Sequence, residues 1–368
     1  MLEAFRESLR DSFGNASSIH HLGQAAKQSL EDARRQVCAL LNCGSKELVF
    51  GSGGTEADNH AIFGVTALHE RPHMITSVIE HPAVPNAASE AKRRGVDLTL
   101  VPVTGKGIVD PEAVRRALRP NTKLISVMHV NNEIGTIQPI AEIAAIAKEA
   151  GALMHSDGVQ AAGRIPVNAR ALGVDLYSLS AHKMRGPKGL GALFVRKGTQ
   201  LASIFHGGRH EAGRRAGTEN TPGVVAMGKA AELAASSLFE EMQRVAALRD
   251  RLEVGILGRI PDTSVNGGGA MRAPNTTNIC FDGIEGESLV IALDLKGFCV
   301  SSGSACSSGA TEPSHVLLAL GLPKQRARSS VRFSLGAGNT VEQVDALVRA
   351  VVDATSHLRR LSPTYAHV

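Results

Sequence analysis

Four short stretches of this 368-residue sequence carry residue types that could do chemistry together. The first is Gly51-Ser52-Gly53-Gly54-Thr55-Glu56, between a strand-like ELVF run and a helical stretch. Glycines let backbone N–H groups approach an anion, and a helix start adds unpaired donors and positive potential. The stretch lacks the Lys-Ser/Thr ending of a P-loop and the spacing of a dinucleotide fingerprint, so a plain tight turn is an equal reading. The second is Asp157, just after an apolar strand-like run. At the carboxyl end of a strand it can keep a pyridine nitrogen protonated, or it can simply cap the segment that starts at Gly158. The third is Ser178-Leu179-Ser180-Ala181-His182-Lys183, followed by Gly186-Pro187-Lys188-Gly189. A lysine at a partly buried strand end loses its proton more readily and can form a Schiff base. An ordinary surface lysine is the plain alternative, and Lys188 reads as one. The fourth is Cys306 inside the Ser/Gly-rich run SSGSACSSG at 301–309. A loop thiol is a candidate nucleophile where something lowers its pKa. Together the four supply a phosphate cradle, a pyridine partner, a Schiff-base lysine and a thiol. That set points to pyridoxal phosphate (PLP) chemistry on a sulfur substrate.

The elements that must position these residues follow from periodicity. Apolar runs at 47–50, 73–78, 97–101, 123–129, 152–155 and 176–180 predict strands, and 55–64, 84–94 and 140–150 predict helices. Alternation of strand, turn and helix indicates an α/β domain with a mostly parallel sheet. A long Ala- and Leu-rich helix over 224–252 leads to a second unit. There, strands at 276–281, 300–301 and 331–334 mix with helices at 288–295 and 341–358 in an α+β pattern. The boundary is placed near residue 238, giving a large domain over 1–238 and a small one over 239–368.

Composition excludes several classes. Lys and Arg number 40 against 35 Asp and Glu, a net charge of +5, and no basic run is present. The densest basic patch, Lys324, Arg326 and Arg328, reads as a solvated turn. Trp is absent and Tyr occurs twice, so no base-stacking surface and no nucleic-acid partner are expected. No apolar run reaches the length of a membrane span and no export signal is visible, so no membrane role and a cytoplasmic location are expected. Five cysteines without CxxC spacing fit a reducing compartment. Cys38, Cys280 and Cys299 lie in apolar runs and read as buried packing residues, and Cys43 sits in a turn with no role assigned. The 14 histidines do not suggest a metal site, because His69/His73 and His206/His210 have no shared helical face. His129 and His155 read as core histidines.

The order of motifs resembles the NifS/IscS-type cysteine desulfurases within the class V aminotransferase family. The resemblance runs from about residue 13 to 351. It rests on SSGSACSSG around Cys306, SAHK ending at Lys183, HVNNEIG at 129–135, RRAGTEN at 214–220, SGGTEADN at 52–59, EHPAV at 80–84, SDGVQ at 156–160 and RFSLG at 332–336. The resemblance implies the fold type I of PLP-dependent transferases: a large domain with a mostly parallel, mixed seven-stranded sheet and a smaller α+β C-terminal domain. It implies that Lys183 carries PLP as a Schiff base and removes the substrate's α-proton, that Asp157 pairs with the pyridine nitrogen, and that Gln160 bonds the ring hydroxyl. His81 would stack on the ring and act as acid and base. Gly54, Thr55, Ser180 and His182 would hold the phosphate, and Thr218 would reach the cofactor of the partner subunit in a homodimer. Asn132, grouped with the cofactor-binding residues, would also bind the substrate carboxylate together with Arg332. Cys306 would take sulfur from L-cysteine as a persulfide, leave L-alanine, and pass the sulfur to an acceptor such as an iron–sulfur scaffold. The rival readings are a selenocysteine lyase or other PLP enzyme of this fold, and a non-catalytic relative. The last arises because the family's usual opening strand and DNAATT-like loop do not precede this sequence. Arg209 also stands where the family often has a third glycine after Gly207-Gly208.

Overall fold

The computed structural model describes residues 1–302, 312–362 and 365. Its contacts divide the chain into two units. The first comprises Met1–Val101, Pro111–Val130 and Gln138–Leu238, and the second Pro102–Asp110, Asn131–Ile137 and Phe239–Val368. The chain passes from one to the other inside a single long helix. The two short segments differ from the sequence expectation, which kept them in the large domain. Their bonds explain the difference: Thr136 Oγ1 donates to the Gly107 carbonyl at 3.0 Å and Thr136 pairs in a β-bridge with Arg272. Asn132 therefore belongs to the second unit.

In chain order the first unit contains α1 (Leu2–Asp11), α2 (His21–Leu41), β1 (Leu48–Gly51), α3 (Gly54–Thr66), β2 (His73–Ser77), α4 (Ala83–Arg93) and β3 (Asp97–Val101). It continues through α5 (Pro111–Ala117), β4 (Thr122–Ser126), α6 (Ile140–Glu149), β5 (Leu153–Asp157), α7 (Ala169–Leu172), β6 (Leu176–Ser180) and β7 (Gly191–Val195) into α8 (Thr221–Leu257). The seven strands form one sheet in the order β1-β7-β6-β5-β4-β2-β3. Neighbours from β6 to β3 are parallel, while β7 runs antiparallel to both β6 and β1. Strands β2, β6 and β7 are buried along their whole length. Burial on both faces is consistent with strands packed between helices rather than with one solvated face. The strand at Gly191–Val195 was not predicted, because GALFV follows directly on a glycine-rich turn. Gly191 has to be glycine, since a Cβ there would stand 2.5 Å from the Gly53 backbone.

The second unit adds β8 (Thr263–Val265), β9 (Thr276–Phe281), α9 (Gly286–Asp294), β10 (Ser301–Ser302), α10 (His315–Ala319), α11 (Lys324–Arg328), β11 (Ser330–Ser334) and α12 (Val341–Leu361). Its sheet is antiparallel in the order β10-β11-β9-β8. Ile279, Phe281, Leu289, Leu293, Val331, Phe333 and Val348 build its core, with Phe281 and Phe333 edge to face at 6.4 Å. Side chains of that size each bury about 2–3 kcal/mol of apolar surface. Cys299 corrects an expectation: it follows the end of α9 in the turn before β10 and is exposed. Among the described residues no helix is long and apolar enough to cross a membrane.

Candidate active site

In the first unit, residues singled out by type converge on the carboxyl ends of the central parallel strands, where open α/β sheets hold their ligands. Strand β5 ends on Asp157, and its neighbour β6 pairs Ser178 with Asp157 before ending on Ser180. One Asp157 oxygen accepts the Val159 N–H at 2.9 Å, so the residue both caps the following turn and leaves the strand end as a buried carboxyl. Burial raises its pKa, while the Val159 N–H and the Lys183 cation pull it back toward the charged form.

Lys183 lies three residues past β6, in a short helical turn over Ala181–Met184. The turn is fixed by Ala181 N–H donating to Leu190 O at 3.0 Å and Gly186 N–H to Ala181 O at 2.8 Å. Arg164 donates to the Lys183 carbonyl at 3.4 Å and also to the Gln160 side-chain oxygen. Lys183 is half-buried and His182 is exposed. Ser180 Oγ and His182 Nδ1 are 2.8 Å apart. Burial lowers the His182 pKa, and Lys183, Lys188 and Arg164 lower it further.

Helix α3 begins at Gly54 with Thr55 next, and the N–H groups of a first helical turn have no partner within the helix. A Cβ on Gly54 would stand 2.6 Å from the Val159 side chain, so the position stays bare beside the Asp157 turn. Half-buried His81 accepts the Ala83 N–H on Nδ1 at 3.2 Å, which sets its ring at the start of α4. Exposed Thr218 lines a cavity of about 200 Å³ with Ser52, Gly189 and Arg215. Arg215 donates to Glu56 at 2.9 Å, and Glu56 accepts the Ser52 N–H at 2.8 Å.

Beneath this layer lies a buried set in which His129 and His155 are the core histidines expected, while residue types do not single out Asp58, Glu80 or Tyr177. Asp58, Glu80, His129, His155 and Tyr177 are all buried. His155 bonds Ser126 Oγ at 2.8 Å and Ser178 Oγ at 2.9 Å, and His129 bonds Tyr177 Oη at 2.8 Å. Glu80 accepts the Met128 N–H at 3.0 Å and the Ser77 hydroxyl. Burial pushes Glu80 up to about 8, and burial with the neighbouring Asp157 charge pushes Asp58 well above the carboxylate range. Desolvation drives His155 down to about 3 and His129 to about 4. His155 approaches Asp58 to 3.6 Å, and burial disfavours the charged form of both groups. Both acids lie inside motifs already quoted, SGGTEADN and EHPAV. Only for Glu80 was a signal available, an acid directly after the apolar pair Val78-Ile79.

The second unit carries the rest. On β11, Arg332 Nη1 donates to the Asn132 carbonyl at 3.0 Å. Arg332 Nε and Asn132 Oδ1 are buried with no hydrogen-bond partner among the described residues. Glu133 accepts the Ser314 hydroxyl, and burial pushes it up to about 7 against the pull of Ser314 and Arg332. Buried donors and acceptors without partners are costly, so a pair left open within two adjoining residues suits a ligand with both carboxylate and ammonium groups. Ser301 on β10 pairs with Arg332, and Ser302 with Val331. Cys306 itself lies outside the described residues.

The residues present fit pyridoxal phosphate. The bare helix start at Gly54, where a Cβ would stand 3.7 Å from Ser180, together with Ser180 and its partner His182, supplies phosphate donors. Asp157 is a buried carboxyl facing a lysine's charge, and Lys183 is an amine on a rigid turn. Among the described residues there is no cluster of three metal-ligating side chains.

Comparison with known proteins agrees with this reading. The model of the family "Aminotransferase class-V" matches residues 1–347. The chain is similar to "Cysteine desulfurase IscS" of Dictyoglomus turgidum, 46% identical over 363 residues, covering 98% of this chain and 92% of that protein. It is 45% identical over 364 residues to "Cysteine desulfurase" of Trichormus azollae, covering 99% and 91%. Among solved structures, a "NIFS-LIKE PROTEIN" superposes with a TM-score of 0.91 at 34% identity, covering 97% of this chain and 95% of that one. "SspA in complex with cysteine" superposes with a TM-score of 0.82 at 34% identity, covering 92% and 95%.

Proposed function

This chain belongs to the aminotransferase class-V family, and from that membership we propose that it is a PLP-dependent cysteine desulfurase. It removes sulfur from L-cysteine, leaves L-alanine and holds the sulfur on Cys306 as a persulfide. The observation that carries the reading is the pairing at adjacent strand ends, a buried Asp157 on β5 within the field of Lys183 after β6. Bound there, PLP supplies an aldehyde that captures the amino-acid nitrogen and a ring that accepts the electron pair released at Cα. The chain's own residues do the rest. Asp157 holds a proton at the ring nitrogen, which keeps the ring an effective electron acceptor. Lys183 Nζ takes the proton from Cα and returns protons along the way. Gly54, Thr55, Ser180 and His182 bind the phosphate, and His81 and Gln160 fix the ring's position. Arg332 and Asn132 take the substrate carboxylate and amine side, a role supported by their two open buried atoms. The Cys306 sulfur then bonds to the substrate sulfur as the carbon–sulfur bond breaks, so that one L-cysteine and one thiol give one L-alanine and one persulfide.

Three finer readings belong to the same proposal: a homodimer in which Thr218 reaches the partner's phosphate, an iron–sulfur scaffold or another sulfur carrier as acceptor, and a cytoplasmic setting. The "SspA in complex with cysteine" neighbour supports the substrate class. Steady-state assays on L-cysteine with PLP and a thiol reductant test the function. Equal amounts of sulfide and L-alanine, both abolished in Lys183→Ala, are expected. Failure of the purified chain to bind PLP or to form either product overturns the reading in favour of a non-catalytic relative.

A further inference from the structure

Helix α2 ends in a left-handed residue, Asn42, with φ 53° and ψ 50°. Its closing bonds run from Cys43 N–H to Cys38 O at 3.0 Å and from Asn42 N–H to Ala39 O at 3.3 Å. These are the six-to-one and five-to-two bonds of a Schellman ending. That ending brings the side chains at the two ends of its six-to-one bond into contact, usually as a pair of apolar groups. In this chain both positions are cysteines, and their thiols interact electrostatically. A six-to-one closure holds the two Cα atoms within the range that a disulfide spans. Cys38 is buried and also donates to the Gly44 carbonyl at 3.5 Å, while Cys43 is half-buried. Both are free thiols in the structure.

We propose that Cys38 and Cys43 form an oxidisable dithiol site, closing to an intrachain disulfide when the protein meets a hydroperoxide. The site is separate from Cys306 and does not depend on the desulfurase reading. Its electrostatics divide the labour. The neighbouring Cys43 thiol lowers the Cys38 pKa, opposed by burial and aided by Arg34, one helical turn away; the neighbouring Cys38 thiol and burial raise Cys43. Cys38 is thus the sulfur that reacts, and Cys43 the one that resolves. The Cys38 sulfur attacks one peroxide oxygen, the O–O bond breaks, and the other oxygen leaves as water with the thiol proton. Cys38 is then a sulfenic acid. The Cys43 sulfur attacks Cys38, the S–S bond forms, the S–O bond breaks, and a second water leaves with the Cys43 proton. Two thiols and one hydrogen peroxide give one disulfide and two waters, and the two electrons pass from sulfur to peroxide.

The test uses the full chain loaded with PLP as the Cys306→Ser variant, which removes the other reactive thiol. After exposure to hydrogen peroxide the protein is denatured, alkylated with N-ethylmaleimide and cut with trypsin without reduction. Cleavage after Arg35 and Lys46 leaves both cysteines in the single peptide 36–46. The expected product is that peptide lighter by two hydrogens and free of maleimide, and doubly alkylated again if dithiothreitol is added before alkylation. Replacing Cys43 by Ser should instead leave a sulfenic acid on Cys38 that dimedone traps. A doubly alkylated peptide at peroxide doses that oxidise exposed Cys299 overturns the proposal. So does sulfinic or sulfonic acid on either cysteine without any disulfide.

Discussion

The two units hold their chemistry in opposite ways. In the first, most residues beneath the strand ends partner one another: both His155 nitrogens meet serine hydroxyls, His129 meets Tyr177, and Glu80 meets Ser77 and Met128, while Asp58 Oδ1 stays buried without a hydrogen bond among the described residues. In the second, Arg332 spends one nitrogen on the Asn132 carbonyl, and the buried Arg332 Nε and Asn132 Oδ1 keep no partner. A closed network fixes charge and position before any ligand arrives. Open buried donors wait for one. On the proposed function, the first unit would hold the cofactor and the second would receive the substrate.

Substitutions can break that contrast. The largest effect is expected for Lys183→Ala, which removes the amine that moves the Cα proton. Product formation should fall by about 10⁴-fold, the upper end for losing a general base. The lesion is checked by kcat and by loss of borohydride-trapped PLP at residue 183. Next in size is a stability effect in the closed layer. Burial pushes Glu80 from an ordinary 4.5 up to about 8, so between those values the folded chain keeps a proton that the unfolded chain has released. Stability attributable to Glu80 is therefore present below pH 4.5 and is lost as pH rises toward 8, by on the order of 4 kcal/mol. Glu80→Gln should remove that slope, read from urea midpoints at the two ends of the window. His155 contributes the opposite slope, losing stability as pH falls from 6.5 toward 3, and should do so equally in both proteins. An unchanged slope in Glu80→Gln would mean that Glu80 is ionised in the folded chain and that the closed layer does not set its charge.

Asp157→Asn should lower kcat by about 10²-fold with little change in KM, as expected for a group that acts on developing charge. The cofactor's absorbance should shift with it, because the ring proton loses its partner. The smallest effect is expected in the second unit. Arg332→Lys keeps the charge but loses the two-pronged contact, and KM for L-cysteine should rise about 10-fold while kcat changes less. A larger effect on kcat than on KM would place Arg332 in the chemistry and blur the contrast.

Much of the first unit was legible because its parallel strands are buried on both faces. The runs at 97–101 and 176–180 in this unit, and 276–281 in the antiparallel sheet of the second, appear with the bounds the periodicity predicts; Asp157 ends β5, while Lys183 lies in the turn three residues past β6. What sequence patterns missed depends on non-local contact. The strand at Gly191–Val195 is defined by its pairing with β6 and β1, not by its composition. Asn132 reads as part of the sheet domain, yet Thr136 bonds its segment to Gly107 and Arg272 in the second unit. Asp58 and Glu80 drew no reading of their own because charge in a sequence says nothing about burial, and only the fold shows them desolvated. Cys299 failed the other way, since an apolar neighbourhood in sequence became an exposed turn.

The measurement that bears most directly on the central claim is a single turnover without reductant. The PLP-loaded chain is given one equivalent of L-cysteine, and the tryptic peptide containing Cys306 is weighed alongside the L-alanine formed. Cys306 one sulfur atom heavier, in step with L-alanine and without free sulfide, is the predicted result. L-alanine formed while Cys306 stays unmodified and sulfide appears at once would contradict it, and would make the chain a lyase that releases sulfur directly.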